Sequence, residues 1–191
     1  MNKLSTDFYQ REDVVKVSRE LLGKRICSRI DGKYCSAIIS ETEAYAGSDD
    51  KASHAYGGKR SKRTKIMYAN GGVAYVYLCY GIHFLFNVVS NRAEVPHACL
   101  IRAVIPEEGI STMLKRRGLS AVKKGWLNGP GKVSQAMGFD LNHNAIDLQG
   151  DLVWLERTEN RITSDDILIS KRIGIDYAEE DAELPYRFTL K

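Results

Sequence analysis

Ala37-Ile38-Ile39-Ser40-Glu41-Thr42-Glu43-Ala44-Tyr45 begins as a buried-looking apolar run and ends in two carboxylates and a phenol. Carboxylates are rarely buried unless they are paired or functional. Read as a strand, the stretch alternates its side chains between two faces. Glu41, Glu43 and Tyr45 then share one face, and Thr42 and Ala44 point the other way. Taken alone, that face is either a solvated strand edge, which is common on half-buried strands, or a general base beside a stacking ring. Upstream, Ile30-Asp31-Gly32-Lys33 separates two apolar runs. Asp-Gly between strand-like segments is a strong hairpin signal, so the stretch is the second arm of a hairpin.

Working outward, Val14, Val17 and Leu21 fall at helical spacing and predict an amphipathic helix over 11–22, with Glu12 and Asp13 in its first turn and Gly23 at its end. Residues 46–70 are rich in turn signals, and a loop of that length is often functional. Strands are predicted over 73–79, 82–89 and 97–105, the last ended by Pro106. A helix is predicted over 107–117, with an acidic start and a basic end. Asn128-Gly129-Pro130-Gly131-Lys132 is a turn leading into a short helix over 133–137. A glycine-rich helix entry of this kind can bind phosphate through backbone N–H groups. Short strands follow at 152–155, 167–169 and 186–190. Strands outnumber helices and include hairpins. The predicted class is therefore α+β, a single domain over 1–191 with a curved mixed or antiparallel sheet flanked by helices.

The composition narrows the function. The chain has 191 residues, 43% hydrophobic and 27% charged, ordinary for a soluble globular protein. It has no run of about 18 apolar residues and no apolar core near its start. The expected setting is the cytosol. Cys27, Cys35, Cys79 and Cys99 form no CxxC pair and sit in apolar, strand-like contexts, which predicts reduced core thiols. The four histidines lack ligand spacing, so no metal site is expected. Net charge is only +4, but residues 59–65 hold five basic side chains and 115–124 hold five more. Clusters of that kind favour a polyanionic partner.

Three polar residues interrupt apolar strands: Glu43, Asn87 and Arg102. A buried arginine needs an anion, and Glu43 is the predicted mate. With Tyr45, Tyr77, Tyr80, His54 and the basic run nearby, these residues predict a pocket with acid, arginine and aromatic walls beside a basic rim.

At these residues the chain resembles the alkyladenine (3-methyladenine) DNA glycosylase family, as a compact, bacterial-type member. The resemblance rests on six segments in order. These are Glu41-Thr42-Glu43-Ala44-Tyr45; His54, followed by Gly57-Gly58 and the basic loop; Tyr75-Val76-Tyr77-Leu78-Cys79-Tyr80-Gly81; Phe86-Asn87; Leu100-Ile101-Arg102-Ala103; and Gly129-Pro130-Gly131-Lys132. One departure lies in the basic loop, where Ser61-Lys62-Arg63-Thr64 stands in place of the frequent Thr-Pro-Arg-Asn. Another is Tyr56, at a position where smaller or basic residues are frequent.

The resemblance implies a monofunctional DNA glycosylase that flips alkylated, and also deaminated, purines out of the duplex. Glu43 would be the general base that activates water, with Arg102 holding it. Tyr45, His54 and Tyr77 would sandwich the extruded base. Asn87 would crowd the exocyclic amine of guanine, a specificity by exclusion. Tyr80 would be the wedge that fills the gap in the stack. Arg63 and Lys132 would contact the DNA backbone. The implied partner is double-stranded DNA containing damaged purines. No cofactor, metal, membrane or obligate protein partner is implied, and the expected location is cytoplasmic, with the nucleoid. Two other readings remain open from the residues: a non-catalytic nucleic-acid-binding domain, and a glycosidase of free nucleosides or sugars using Glu41 and Glu43 as a pair.

Overall fold

The computed structural model describes residues 2–159 and 161–191. In chain order the elements are α1 (Thr6–Tyr9), α2 (Val14–Leu21), β1 (Arg25–Ile30), β2 (Lys33–Tyr45), β3 (Ala74–Cys79), β4 (His83–Ser90) and β5 (His97–Glu108). They continue with α3 (Ile110–Arg117), α4 (Pro130–Met137), β6 (Val153–Glu156), β7 (Ile167–Ser170) and β8 (Arg187–Leu190). The strands form one curled sheet in the order β3-β4-β5-β2-β1-β6, with β8 also on β2 and β7 on β8. Every strand pairing is antiparallel, so the mixed alternative falls away and the α+β class stands.

The hairpin turn is as predicted: Asp31 and Gly32 have φ of 55° and 66°, and Ile30 faces Lys33. The positive φ at both central residues matches the twist of the flanking strands. β2 is the axis of the sheet. One edge runs along β5. The other is shared, its first half pairing β1 and its residues Glu41–Glu43 pairing β8.

Alternation along the strands sorts the residues into two layers. Ala44, Ala74, Val76, Phe86, Val88, Cys99 and Ile101 point into the main core. Helices α2 and α4 cover that face, and Phe86 stacks on Phe139 at 4.4 Å. Thr42 also points inward and donates to the Ser18 carbonyl of α2 at 2.8 Å. Glu43, Tyr45, Tyr75, Tyr77, Leu85, Asn87, Ala98, Leu100 and Arg102 lie on the opposite layer. Loop 46–70, built from short 3₁₀ turns at Gly47–Asp49, Tyr56–Gly58 and Thr64–Tyr68, closes over part of it and packs Ala55, Met67 and Tyr68 against Tyr75.

Several boundaries differ from expectation. Asp13 is the N-cap of α2, accepting from the Lys16 amide at 2.9 Å, a bond worth about 1 kcal/mol. Pro106 does not end β5: it sits opposite Ala37 at a register shift, and an irregularity of this kind tolerates a residue without an N–H. Glu107 and Glu108 therefore belong to the strand. Helix α3 begins only after Gly109, whose φ of 76° breaks the chain between the two. Helix α4 starts three residues earlier than predicted, with Pro130 at N1, where a missing N–H costs nothing. Cys27, Cys35 and Cys99 are buried free thiols, and Cys79 is half-buried and free. No helix among the described residues is long and apolar enough to cross a membrane.

Candidate active site

Register carries the site across the sheet. Tyr75 faces Asn87, Asn87 faces Leu100, Leu100 faces Glu43, and Glu43 faces Arg187. This row crosses β3, β4, β5, β2 and β8 on one layer. At about 4.8 Å per strand step, Asn87 stands about 10 Å from Glu43. Tyr77 and Tyr45 flank the row two residues along their strands, and Arg102 lies two beyond Leu100.

Above the row opens a cavity of about 950 Å³, bounded by Tyr45, His54, Tyr77, Asn87 and Arg102, with Arg63, Tyr80 and Lys132 on its rim. That size suits a nucleotide-sized ligand. All the site residues predicted from sequence line it except Glu43. Tyr56 lies on its rim, as does His83, which had no predicted part in the site.

Glu43 has no exposed surface. It sits just behind the cavity wall, hydrogen-bonded to two wall residues and ion-paired with a third. Its Oε2 accepts from the Tyr45 hydroxyl at 2.8 Å. Its Oε1 accepts from the Ile173 amide at 2.9 Å and lies 3.3 Å from Arg102 Nη1. Arg102 is the predicted mate, yet its nearer partner is Glu41, whose Oε1 accepts from Arg102 Nε at 3.0 Å and from Arg187 Nε at 2.7 Å. Burial pulls the Arg102 guanidinium down, but the Glu43 and Glu41 carboxylates outweigh it and hold it above its ordinary value. The Tyr45 hydroxyl is pushed well above its ordinary value by burial and by the charge of Glu43, so it stays a proton donor.

The aromatic wall is cross-braced. His54 meets the Tyr77 ring edge-on at 4.6 Å, and Tyr75 stacks on Tyr77 at 5.3 Å. His54 Nδ1 is 2.8 Å from the Tyr75 hydroxyl. Burial, then Arg63 and Lys59, push His54 down to about 4, so the ring is neutral at physiological pH. Tyr75 is both core, at 2% exposed, and a bracing member of this wall. Asn87 donates to the Tyr75 carbonyl at 3.0 Å, which leaves its amide oxygen for the cavity.

Tyr80 stands at the tip of the β3–β4 hairpin, 88% exposed, with φ of 50°. A left-handed backbone costs a tyrosine on the order of 1–2 kcal/mol, and such strain is characteristic of functional positions. The basic loop is pinned in spite of its departure from the family pattern. The Ser61 amide donates to Thr64 Oγ1 at 2.8 Å, the Thr64 amide donates to Ser61 Oγ at 3.1 Å, and Thr64 Oγ1 donates to the Lys59 carbonyl at 3.0 Å. This turn carries Arg63 to 5.8 Å from the Tyr77 ring. Lys132 is held at the rim because the Gly129 amide donates to the Arg102 carbonyl at 2.9 Å.

Sequence reasoning missed the contributions of residues 171–187. Ile173, Gly174, Ile175 and Tyr177 line the cavity, and exposed Glu179 and Glu180 of the acidic segment pair with Lys51. Arg187, a cation between Tyr186 and Phe188 in a strand, was the readable signal there. No group of His, Cys, Asp or Glu among the described residues is arranged to hold a metal ion.

Comparison with known proteins fits this arrangement. The family model described as methylpurine-DNA glycosylase matches residues 7–191. A Chlamydia felis protein, named provisionally as a 3-methyladenine DNA glycosylase, is 46% identical over 98% of this chain and 95% of its own length. Proteins of the same provisional name from Desulfitobacterium hafniense and Natranaerobius thermophilus are 42% and 43% identical, over 100% and 99% of this chain and 96% of their own lengths. The chain belongs to the methylpurine-DNA glycosylase family, the DNA glycosylases for alkylated bases.

Proposed function

We propose that the chain acts as one domain that flips an alkylated purine nucleotide out of duplex DNA and hydrolyses its N-glycosidic bond with a water activated by Glu43. The observation that carries this reading is the carboxylate of Glu43 set behind a nucleotide-sized aromatic cavity, hydrogen-bonded to two of its wall residues and ion-paired with a third. The target bond is out of reach inside a stacked duplex, so the nucleotide must leave the stack. Tyr80, at the exposed hairpin tip, is suited to fill the gap it leaves. Tyr45 on one side and Tyr77 with His54 on the other would sandwich the base. Electron-rich rings favour an electron-poor alkylpurine, as in cation–π attraction. Asn87, aimed into the cavity, would exclude a guanine amine, and Arg63 and Lys132 would meet phosphates.

In the reaction the water oxygen bonds to C1′ as the C1′–N bond breaks, and the bonding electron pair stays on the purine nitrogen. A cationic alkylpurine departs neutral, and the water proton passes to Glu43. The transition state resembles an oxocarbenium ion, as in inverting glycosidases. Because Glu43 has no open surface, the wall formed by Tyr45, Arg102 and Ile173 has to part for the water to reach it. A base positioned in this way contributes about 10²–10⁴-fold. Lys51, Lys59 and Lys132 line the cavity, but no lysine falls at the motif positions expected to face C1′, which favours a monofunctional hydrolase without a lyase step. Hypoxanthine, of a size for the same cavity, extends the proposed range to deaminated purines; uncharged in the nucleotide, it departs as the anion and takes its proton from solvent.

The free-sugar glycosidase reading loses support: Glu41 is engaged by two arginines and does not line the cavity. The decisive experiment is base release from duplex DNA carrying 3-methyladenine, 7-methylguanine, ethenoadenine or hypoxanthine, with wild type and Glu43→Gln. Release by wild type and its loss in the variant are expected. Tight binding without release by wild type would instead favour a non-catalytic binding domain.

A further inference from the structure

An arginine outside every sequence motif lies directly behind the site. Arg172 is 4% exposed and Asp50 2%, and they form a forked pair, Nη1 to Oδ2 at 2.6 Å and Nη2 to Oδ1 at 2.9 Å. The same two nitrogens donate to the Ala44 carbonyl at 2.9 Å and the Asp181 carbonyl at 3.1 Å. Asp50 is itself fixed by the Ala46 amide at 2.9 Å and the Ala52 amide at 3.0 Å. The guanidinium lies 4.9 Å from the centre of the Tyr45 ring and does not line the cavity, so it backs the ring from behind.

A buried ion pair stabilises a fold no better than apolar residues of similar size. This one instead converges on a single neighbour. Ala44, whose carbonyl it holds, is the residue between Glu43 and Tyr45. Ile173, the residue after Arg172, gives its N–H to Glu43 Oε1 at 2.9 Å. The carboxylate is thus gripped from two backbone segments, and the pair joins them. The charged and titratable groups facing Glu43 are Tyr45 beside it, Arg102 from β5, Arg172 from the segment after β7 and Arg187, its register partner on β8.

We propose that the Arg172–Asp50 pair is a positioning clamp for Glu43, locking the Ile173 amide onto the carboxylate and the Tyr45 ring into the cavity wall. The inference rests on the reading of Glu43 as the general base. It requires the fork: an ammonium is a point charge and cannot hold both carboxylate oxygens and two carbonyls in one plane.

The test uses Arg172→Met and Asp50→Asn, each assayed two ways. One measurement is the single-turnover rate of base release from dimethyl sulfate-treated duplex DNA. The other is the affinity for a duplex carrying a non-cleavable pyrrolidine abasic analogue, which also counts the active sites. The clamp predicts a rate loss on the order of 10–100-fold, the effect of a misplaced reacting group, with affinity per active site unchanged. Rates equal to wild type, or rate and active-site count falling in proportion, would overturn it. Asp50→Asn keeps the side-chain shape and one acceptor oxygen, so it carries the test if Arg172→Met does not fold. Glu43→Gln releasing base at the wild-type rate would sink the base assignment and the clamp with it. Glu43→Gln inactive beside fully active Arg172→Met and Asp50→Asn would sink the clamp alone.

Discussion

Replacing Glu41 by glutamine tests how Arg102 is held. One carboxylate oxygen receives Arg102 Nε at 3.0 Å and Arg187 Nε at 2.7 Å, and the three side chains are 12%, 12% and 24% exposed. Breaking a fully buried pair costs about 3–5 kcal/mol, whereas exposed pairs are worth at most about 1 kcal/mol. This cluster is mostly buried, and glutamine keeps a carbonyl oxygen that can serve one arginine. The expected loss is therefore about 2–3 kcal/mol, set by charge-assisted bonds of about 1.5–3 kcal/mol each. An unfolding entropy of about 2.1 cal/mol/K per residue gives about 0.4 kcal/mol/K for the whole chain, so Tm should fall about 5–8 °C. Arg102, released on one side, keeps only Glu43 as a carboxylate partner. Closing onto it would tighten the wall that has to part for water to reach the carboxylate. Calorimetry should show the lower Tm, and single-turnover excision should be slower than wild type at a temperature where both proteins are folded. An unchanged Tm with an unchanged rate would refute the claim that Glu41 sets the position of Arg102.

Other outcomes follow from the same geometry. Tyr80→Ala should weaken binding to lesion-bearing duplex by about 1–3 kcal/mol, the worth of an aromatic–base stack, without moving Tm, because the side chain is 88% exposed; anisotropy titration checks the first half and calorimetry the second. His54 titrates at about 4 in the fold against an ordinary 6.5. The unfolded chain therefore binds the extra proton between those values, and stability present above pH 6.5 is lost as pH falls toward 4. His54→Gln should flatten that slope in urea midpoints measured across the window, and an equal slope in both proteins would discard the assignment. Lys132→Ala should lower the slope of log affinity against log salt by about 0.9 if the side chain neutralises one phosphate, and an unaltered slope would remove it from the DNA contact.

Much of this was legible because the sheet face is encoded with a period of two. Glu43 and Tyr45 on one face of β2, Tyr75 and Tyr77 on one face of β3, and Asp31-Gly32 in the turn are all local statements, and each holds in the fold. What failed were signals that tertiary context overrides. Pro106 reads as a stop, yet an irregular register lets β5 continue to Glu108. Glu107 and Glu108 read as a helix start, yet Gly109 places them in a strand. The least legible part is Arg172, 122 residues from Asp50. Nothing local separates a buried arginine from a solvated one, and only the return of the chain after β7 brings it behind Tyr45. Glu41 was visible as a same-face neighbour without a role, and its role depends on Arg187 arriving from β8.

The shared edge of β2 has a consequence for how the molecule breathes. Glu41, Thr42 and Glu43 have ladder partners on both sides, β5 and β8, and opening them requires separating three strands at once. Their amides should exchange hydrogen with solvent only on global unfolding, an outcome that native-state hydrogen exchange checks. The Tyr80 hairpin tip, 88% exposed, carries no such constraint and can open locally. The acid should therefore ride on the slowest-exchanging segment, while the tip proposed to enter the nucleic acid can move relative to it.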